Sequence, residues 1–299
     1  MSKAKILVYG ITGMTGSRIG QLLRNDFKII APPHSYLDLT NKKQVVSHLK
    51  DVLPDQIVYA AGLTKVDQAE ANPKLAYTLN TYQPKFIAEQ ASKLNIPFYY
   101  ISTDAVFDGT LKKRAYTEKD KPSPVSVYGN SKLKGEQAVL STSPKNCVIR
   151  TIMIYCSTYP HKKDFARLAH ESLSHGEKFE GISDQIINPT FIDDLIWALK
   201  SLLKKRAKGI YHVAATDYSS NYGFVEKIAK VFNFNKDLIK KVSFEQFFKD
   251  KPARRTQYAW IDTSKFQKEI SGNILHTVSQ GVSLFKNQLK NIETPPVDI

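Results

Sequence analysis

Lys5-Ile6-Leu7-Val8-Tyr9-Gly10-Ile11-Thr12-Gly13-Met14-Thr15-Gly16 is the stretch that decides the fold of this chain. A run of strand character ends in glycines spaced G-x-x-G-x-x-G, and a helical pattern over residues 17–24 follows at once. Glycines there let the backbone turn tightly and approach a pyrophosphate, whose charge settles on the amino end of the next helix. A purely structural turn is the competing reading. The strand before it and the helix after it favour a nucleotide.

Outward from this turn, short apolar runs alternate with helical patterns. Residues 27–31, 56–59, 96–102 and 147–150 read as further strands, and 42–53, 73–93 and 127–140 as helices. Parallel neighbours need crossover connections, so this alternation predicts an α/β fold with a doubly wound parallel sheet of Rossmann type. Beyond residue 150 the pattern loosens into helices near 164–175, 192–203, 222–232 and 278–291, with a strand at 209–213. The expected organisation is a dinucleotide-binding domain over 1–150. A smaller substrate-binding lobe follows over 151–299, with some elements returning to the main sheet.

Composition narrows the class. With 299 residues, 42% apolar and 24% charged, the chain has ample material for a core, which excludes disorder and a disulfide mini-protein. Its apolar runs are too short to cross a membrane. Met1 to Lys5 runs into the first strand with no signal-peptide core, and there are only two cysteines, so the expectation is a cytoplasmic protein. Lys and Arg number 43 against 28 Asp and Glu, a formal net charge of +15. Those cations are dispersed and no nucleic-acid-binding motif accompanies them, so a solvated lysine surface is preferred, with steering of anionic substrates second.

The end of the second strand reads the adenosine ribose in such folds, and a carboxylate there favours NAD. Here the chain runs Ile29-Ile30-Ala31-Pro32-Pro33-His34-Ser35. With no acidic residue, and with Arg18 and His34 available to face a 2′-phosphate, NADPH is favoured over NADH. Gly10, Thr12, Gly13, Met14 and Gly16, then Asp38, Leu39, Ala60, Ala61 and Gly62, are the candidate cofactor contacts in this half.

The fourth strand ends in Ser102-Thr103-Asp104, and Tyr128-Gly129-Asn130-Ser131-Lys132 follows on a predicted helix. Tyr128 and Lys132, at i and i+4, share one helical face. An ammonium near a phenol favours phenolate and lowers its pKa, while a strand-end hydroxyl polarises a carbonyl oxygen. Together they allow Tyr128 to donate a proton to an alkoxide as a nicotinamide delivers hydride to carbon. An isolated Y-x-x-x-K is usually an ordinary helix. Its order after the glycine turn and the strand-end Thr103 changes that balance.

Taken with these motifs, the chain resembles an extended short-chain dehydrogenase/reductase of the dTDP-4-dehydrorhamnose reductase family. The likeness runs through Leu37-Asp38-Leu39-Thr40, Ala60-Ala61-Gly62-Leu63-Thr64-Lys65-Val66-Asp67, Ser102-Thr103-Asp104-Ala105-Val106-Phe107-Asp108-Gly109 and the Tyr128 helix. It implies reduction, by NADPH or NADH, of the C4 ketone of a nucleotide-linked 4-keto-6-deoxy sugar for surface polysaccharide synthesis. Tyr128 would be the proton donor. Lys132 would hold the nicotinamide ribose, Thr103 would bond the ketone, and Ser102 would join the cofactor set. Asp104, Met153 and Arg255 would face the sugar nucleotide, Arg255 beside its diphosphate.

Met153 stands where the family has a tryptophan, and Ala105 where it has an aromatic, so the particular sugar is in doubt more than the chemistry. Two alternatives stay open: an epimerase or dehydratase of the same superfamily, and a non-catalytic dinucleotide-binding subunit like the methionine adenosyltransferase β subunit. A nucleotide sugar is the expected partner, with no nucleic acid and no membrane, and a homodimer is left open. No carboxylate cluster calls for a metal. Asp193-Asp194 reads as a helix N-terminal cap, and Cys147 as a small buried hydrophobe.

Overall fold

Strand β1 (Lys5–Tyr9) leads into α1 (Met14–Leu23), and β2 (Lys28–Ile30), α2 (Lys42–Val52) and β3 (Gln56–Tyr59) follow. After α3 (Val66–Ala71), α4 (Pro73–Tyr77) and α5 (Gln83–Lys93) come β4 (Phe98–Thr103), α6 (Val127–Thr142) and β5 (Cys147–Thr151). The computed structural model describes residues 3–32 and 36–293.

The second half opens with α7 (Phe165–Ser174), β6 (Phe179–Ile182) and β7 (Ile186–Ile187). Next are α8 (Ile192–Lys204), β8 (Gly209–His212), β9 (Ser219–Ser220), α9 (Asn221–Phe232) and β10 (Ile239–Val242). Helices α10 (Phe244–Phe248), α11 (Ser264–Glu269) and α12 (Val278–Glu293) complete it.

The main sheet has six strands in the order β2-β1-β3-β4-β5-β8, all parallel. Successive side chains of a strand point to opposite faces, and here both faces are covered, which is why these strands are apolar throughout. Ile6, Val8, Val58, Tyr99, Ile101, Cys147 and Ile149 pack with α1 and α8 on one side. Leu7, Tyr9, Ile57, Tyr59, Phe98, Tyr100 and Val148 pack with α2 and α5 on the other. The expected doubly wound sheet is therefore present, and Cys147 is buried in it. Beside it lies a separate apolar cluster built on α7, α9 and α12, with two small two-stranded sheets, β10-β6 and β7-β9.

Residues 73–93, read as one helix, are broken. Between α4 and α5 lies a π-helical turn, Thr78–Tyr82, in which the Gln83 amide donates to Thr78 O, five residues back. Pro84 supplies a physical reason. It has no amide to give to Asn80 O, so that carbonyl accepts the Tyr100 hydroxyl instead, at 2.7 Å. The widened turn places the Asn80 side chain in the interior, where Oδ1 accepts from Leu63 N at 2.9 Å. Its Nδ2 donates to Leu63 O at 3.1 Å and to Ser131 Oγ at 2.9 Å. Asn80 thus ties the loop after β3 to α6.

The cap assigned to Asp193-Asp194 is also corrected. The residue capping α8 is Phe191, which makes no side-chain cap. Both carboxylates lie inside the first turn and serve tertiary contacts. Asp193 pairs with Arg18, and Asp194 accepts from His276 N at 2.9 Å and bonds His276 Nδ1 at 2.8 Å.

Candidate active site

The turn after β1 works by close approach. Gly10 has φ +92°, and a Cβ there would stand 2.5 Å from Ala61 N. A Cβ on Gly16 would stand 2.1 Å from Gly10 O, so α1 can begin directly behind the turn only with glycine at 16. Gly13 precedes α1 without a side-chain cap, and the first turn of the helix holds no acidic residue. Its amides are arranged to receive an anion.

In front lies a cleft of about 220 Å³ lined by Tyr9, Gly10, Ile11, Thr12, Gly13, Pro32, Leu37, Leu39, Ala60, Ala61 and Gly62. Its apolar walls, its glycine cradle and its helix end fit a dinucleotide. Gly16→Ala is expected to destabilise the protein by about 1–3 kcal/mol by overpacking. It should also weaken NADPH binding. Urea unfolding and a fluorescence titration would check both, and wild-type values for both would show that the turn tolerates a Cβ.

Other expected cofactor residues lie around this cleft rather than in its lining. Met14 packs partly on the core beside α8. Asp38 accepts from Thr40 N and Thr40 Oγ1, each at 2.8 Å. The Ser102 hydroxyl donates to Glu136 in the interior. Arg18, expected at a 2′-phosphate, is instead held by Asp193, Nε to Oδ1 at 2.6 Å and Nη2 to Oδ2 at 2.7 Å. His34 lies outside the described residues.

At the carboxyl end of β4, Thr103 Oγ1 donates to Asp104 Oδ1 at 2.9 Å and accepts from Ala105 N at 3.2 Å. Helix α6 is capped by Ser126, whose hydroxyl accepts from Gly129 N at 3.2 Å. A Cβ on Gly129 would meet Ala105 O at 2.1 Å, so glycine lets α6 press against the residues after β4. This contact sets the Tyr128 phenol beside Thr103 at the end of β4. Of the expected catalytic set of Thr103, Tyr128 and Lys132, the structure puts Thr103 and Tyr128 side by side with Asp104 next to them, while Lys132 is bonded to Ile101 O.

Electrostatics here follow burial. Tyr128 keeps some solvent access, yet dense packing pushes its phenol up to about 12, Asp104 adding to the rise and the Thr103 bond opposing it. Burial likewise lifts Asp104 to about 7 against its bond from Thr103. Lys132, fully enclosed, is drawn down to about 7 by desolvation, with Glu136 resisting. Its Nζ donates to Ile101 O at 2.6 Å and lies 3.9 Å from the Tyr100 ring centroid. Burial dominates the Tyr128 phenol, and Lys132 is engaged at that carbonyl and ring instead.

The remaining expected substrate residues lie at the lobe side. Met153 follows β5 in a left-handed conformation, φ +39°, and packs partly on the lobe's apolar cluster. Arg255 Nη2 pairs with Asp67 Oδ2 at 2.9 Å, and Nη1 donates to Ala253 O at 2.8 Å. Two supports escaped the sequence reading: Asn80, hidden in a helical pattern, and the pair of Glu136 with Arg150 beneath Ser102. A polar residue on the apolar face of a helix is the one feature that points to Asn80. Among the described residues, no group of three or more His, Cys, Asp or Glu is placed to hold a metal ion. No helix there is long and apolar enough to cross a membrane.

A parallel Rossmann-type sheet with a glycine-rich turn after its first strand, a strand-end threonine and a tyrosine and lysine one helical turn apart defines a protein of the short-chain dehydrogenase/reductase class. The family described as RmlD substrate binding domain matches residues 4–289, and the chain belongs to that family. It is 32% identical over 238 residues to the dTDP-4-dehydrorhamnose reductase of Sinorhizobium fredii, covering 77% of this chain and 78% of that protein. The enzyme of the same name from Aggregatibacter actinomycetemcomitans is 30% identical over 278 residues, 89% and 92% of the two chains. A crystal structure of dTDP-4-dehydrorhamnose reductase from Bacillus anthracis, in complex with NADP, superposes with a TM-score of 0.87 at 28% identity. That match covers 98% of this chain and 100% of the other.

Proposed function

We propose that this protein is a cytoplasmic NADPH-dependent reductase of the C4 ketone of a nucleotide-linked 4-keto-6-deoxy sugar, with dTDP-4-dehydrorhamnose as the first substrate to try. The observation that carries the reading is the contact of Tyr128 with Thr103 at the carboxyl end of the sheet, beside the dinucleotide cleft. Relatives named for this reaction support it. The Gly10-to-Gly16 turn would hold the pyrophosphate of a reduced nicotinamide dinucleotide, which would supply hydride to the ketone carbon. Thr103 holds the ketone oxygen, and Tyr128, whose phenol stays protonated well past neutrality, gives that oxygen its proton. Lys132 leaves Ile101 O to bond the ribose beside the nicotinamide. Ser102, with its hydroxyl engaged by Glu136, offers a ligand its backbone.

Residues 1–150 bind the dinucleotide and residues 151–299 supply the sugar-binding lobe, with α8 and β8 lent back to the sheet. Met153 borders the sugar. Arg255 meets the diphosphate by exchanging Asp67 for it, an exchange of like for like since both are oxyanions. The intact Thr103, Tyr128 and Lys132 favour turnover over a purely regulatory role. The test is loss of nicotinamide absorbance with NADPH, then NADH, and dTDP-4-dehydrorhamnose. Oxidation dependent on the sugar supports the reading; binding of the cofactor with no oxidation by any nucleotide-linked keto sugar sinks it.

Asp104 gives this site a pH signature. A carboxyl whose folded pKa lies near 7, above its unfolded value near 4, binds its proton more tightly in the folded state. Its ionisation therefore lowers stability as pH rises from about 4 to about 7. Asp104→Asn is expected to unfold at a higher temperature than wild type at pH 8, and at the same temperature at pH 4. Parallel melting curves across that range would show that burial of Asp104 has no such effect.

A further inference from the structure

The Tyr9 hydroxyl is a buried polar group with no hydrogen-bond partner. Tyr9 closes β1 directly before Gly10, is 1% exposed, and packs on the sheet face shared by Leu7, Leu37 and Tyr59, its ring 6.3 Å from that of Tyr59. Burial raises its phenol above the ordinary range, with no hydrogen bond to offset the rise. An unpaired buried hydroxyl lowers stability, and phenylalanine would fill the same space without that loss. Yet Tyr9 also lines the cleft, beside Pro32, Leu37, Leu39 and Ala61. Apolar walls next to a helix end that receives phosphate suit the flat ring of a nucleoside joined to that phosphate.

We infer that the Tyr9 hydroxyl is a hydrogen-bond partner for the adenosine half of the dinucleotide, left unpaired in the free protein and satisfied on binding. Adenine offers ring nitrogens that accept and an exocyclic amine that donates, and a phenol meets either. The inference rests on the dinucleotide reading of the cleft. It predicts an unusual pairing of effects, because removing the hydroxyl should help the free fold and harm the complex.

The test is Tyr9→Phe, with NADPH and ADP binding measured by calorimetry and unfolding temperature measured without nucleotide. Kd for NADPH should rise roughly 3- to 10-fold, the range of one neutral hydrogen bond. Kd for ADP should rise by the same factor. The free protein should melt about 2–4 °C higher. Unchanged NADPH binding overturns the inference, as does weaker NADPH binding with unchanged ADP binding, which would move the contact off the adenosine half. A lower melting temperature also overturns it, by revealing a partner inside the fold. If the wild-type protein binds neither nucleotide, the dinucleotide reading itself fails, an outcome distinct from a Tyr9→Phe protein that matches wild type.

Discussion

Tyr128→Phe is expected to lower kcat for ketone reduction by about 10²–10⁴-fold, the worth of a positioned proton donor. Reduction of a ketone adds hydride to carbon and a proton to oxygen, and the phenol is the protonated group that touches Thr103 at the strand end. Because that proton moves only in the transition state, kcat and kcat/KM should fall together. The substitution keeps the ring that packs beside Leu63 and Ala76, so the fold should be untouched. Steady-state kinetics alongside a melting curve would check it. Activity within a few-fold of wild type would remove Tyr128 as donor. Asp104, near 7 and bonded to Thr103, would then be the group to replace next.

Arg150→Met should be the most destabilising single change in the sheet, at about 3–5 kcal/mol for a broken buried ion pair. Arg150 grips Glu136 through Nε to Oε1 at 3.0 Å and Nη2 to Oε2 at 2.7 Å, with the two side chains each 2% exposed. Removing the guanidinium leaves a buried carboxylate with the Ser102 hydroxyl as its hydrogen-bond partner and Lys132, one helical turn away, as the cation that still acts with it. Replacing both partners, as in Arg150→Met with Glu136→Leu, should recover most of the loss, since no lone charge remains. Urea midpoints of the single and double variants, at constant slope, measure this directly. A single variant as stable as wild type would show that water reaches the pair. The same region holds His212, opposite Arg150 across β5 and β8, drawn down to about 3 by burial and by that guanidinium.

Much of this molecule was legible one residue after another. The first strand, the Gly10-to-Gly16 turn and the helix behind it are local, since each depends on the conformational range of neighbouring residues. The Tyr128–Lys132 spacing is local for the same reason: helical geometry alone puts them on one face. Alternation of apolar strands with helices determined a parallel sheet, because parallel strands cannot be joined any other way. The short strands β6, β7, β9 and β10 and the helices α3, α10 and α11 escaped this reading, being too brief for a period to show.

What the chain order could not decide is where each charge and each polar atom ends up. Whether Lys132 acts on a phenol or rests on Ile101 O depends on how α6 lies against β4, which the contact of Gly129 with Ala105 helps to set. Arg18 is drawn to Asp193 by the packing of α1 on α8, from 175 residues away. Pairing of Glu136 with Arg150, clamping of the post-β3 loop by Asn80, and the unpaired hydroxyl of Tyr9 likewise exist only in three dimensions. Conformational preference is a property of neighbouring residues and is written in sequence. Desolvation and hydrogen-bond satisfaction depend on everything packed around an atom, so only the tertiary structure decided them.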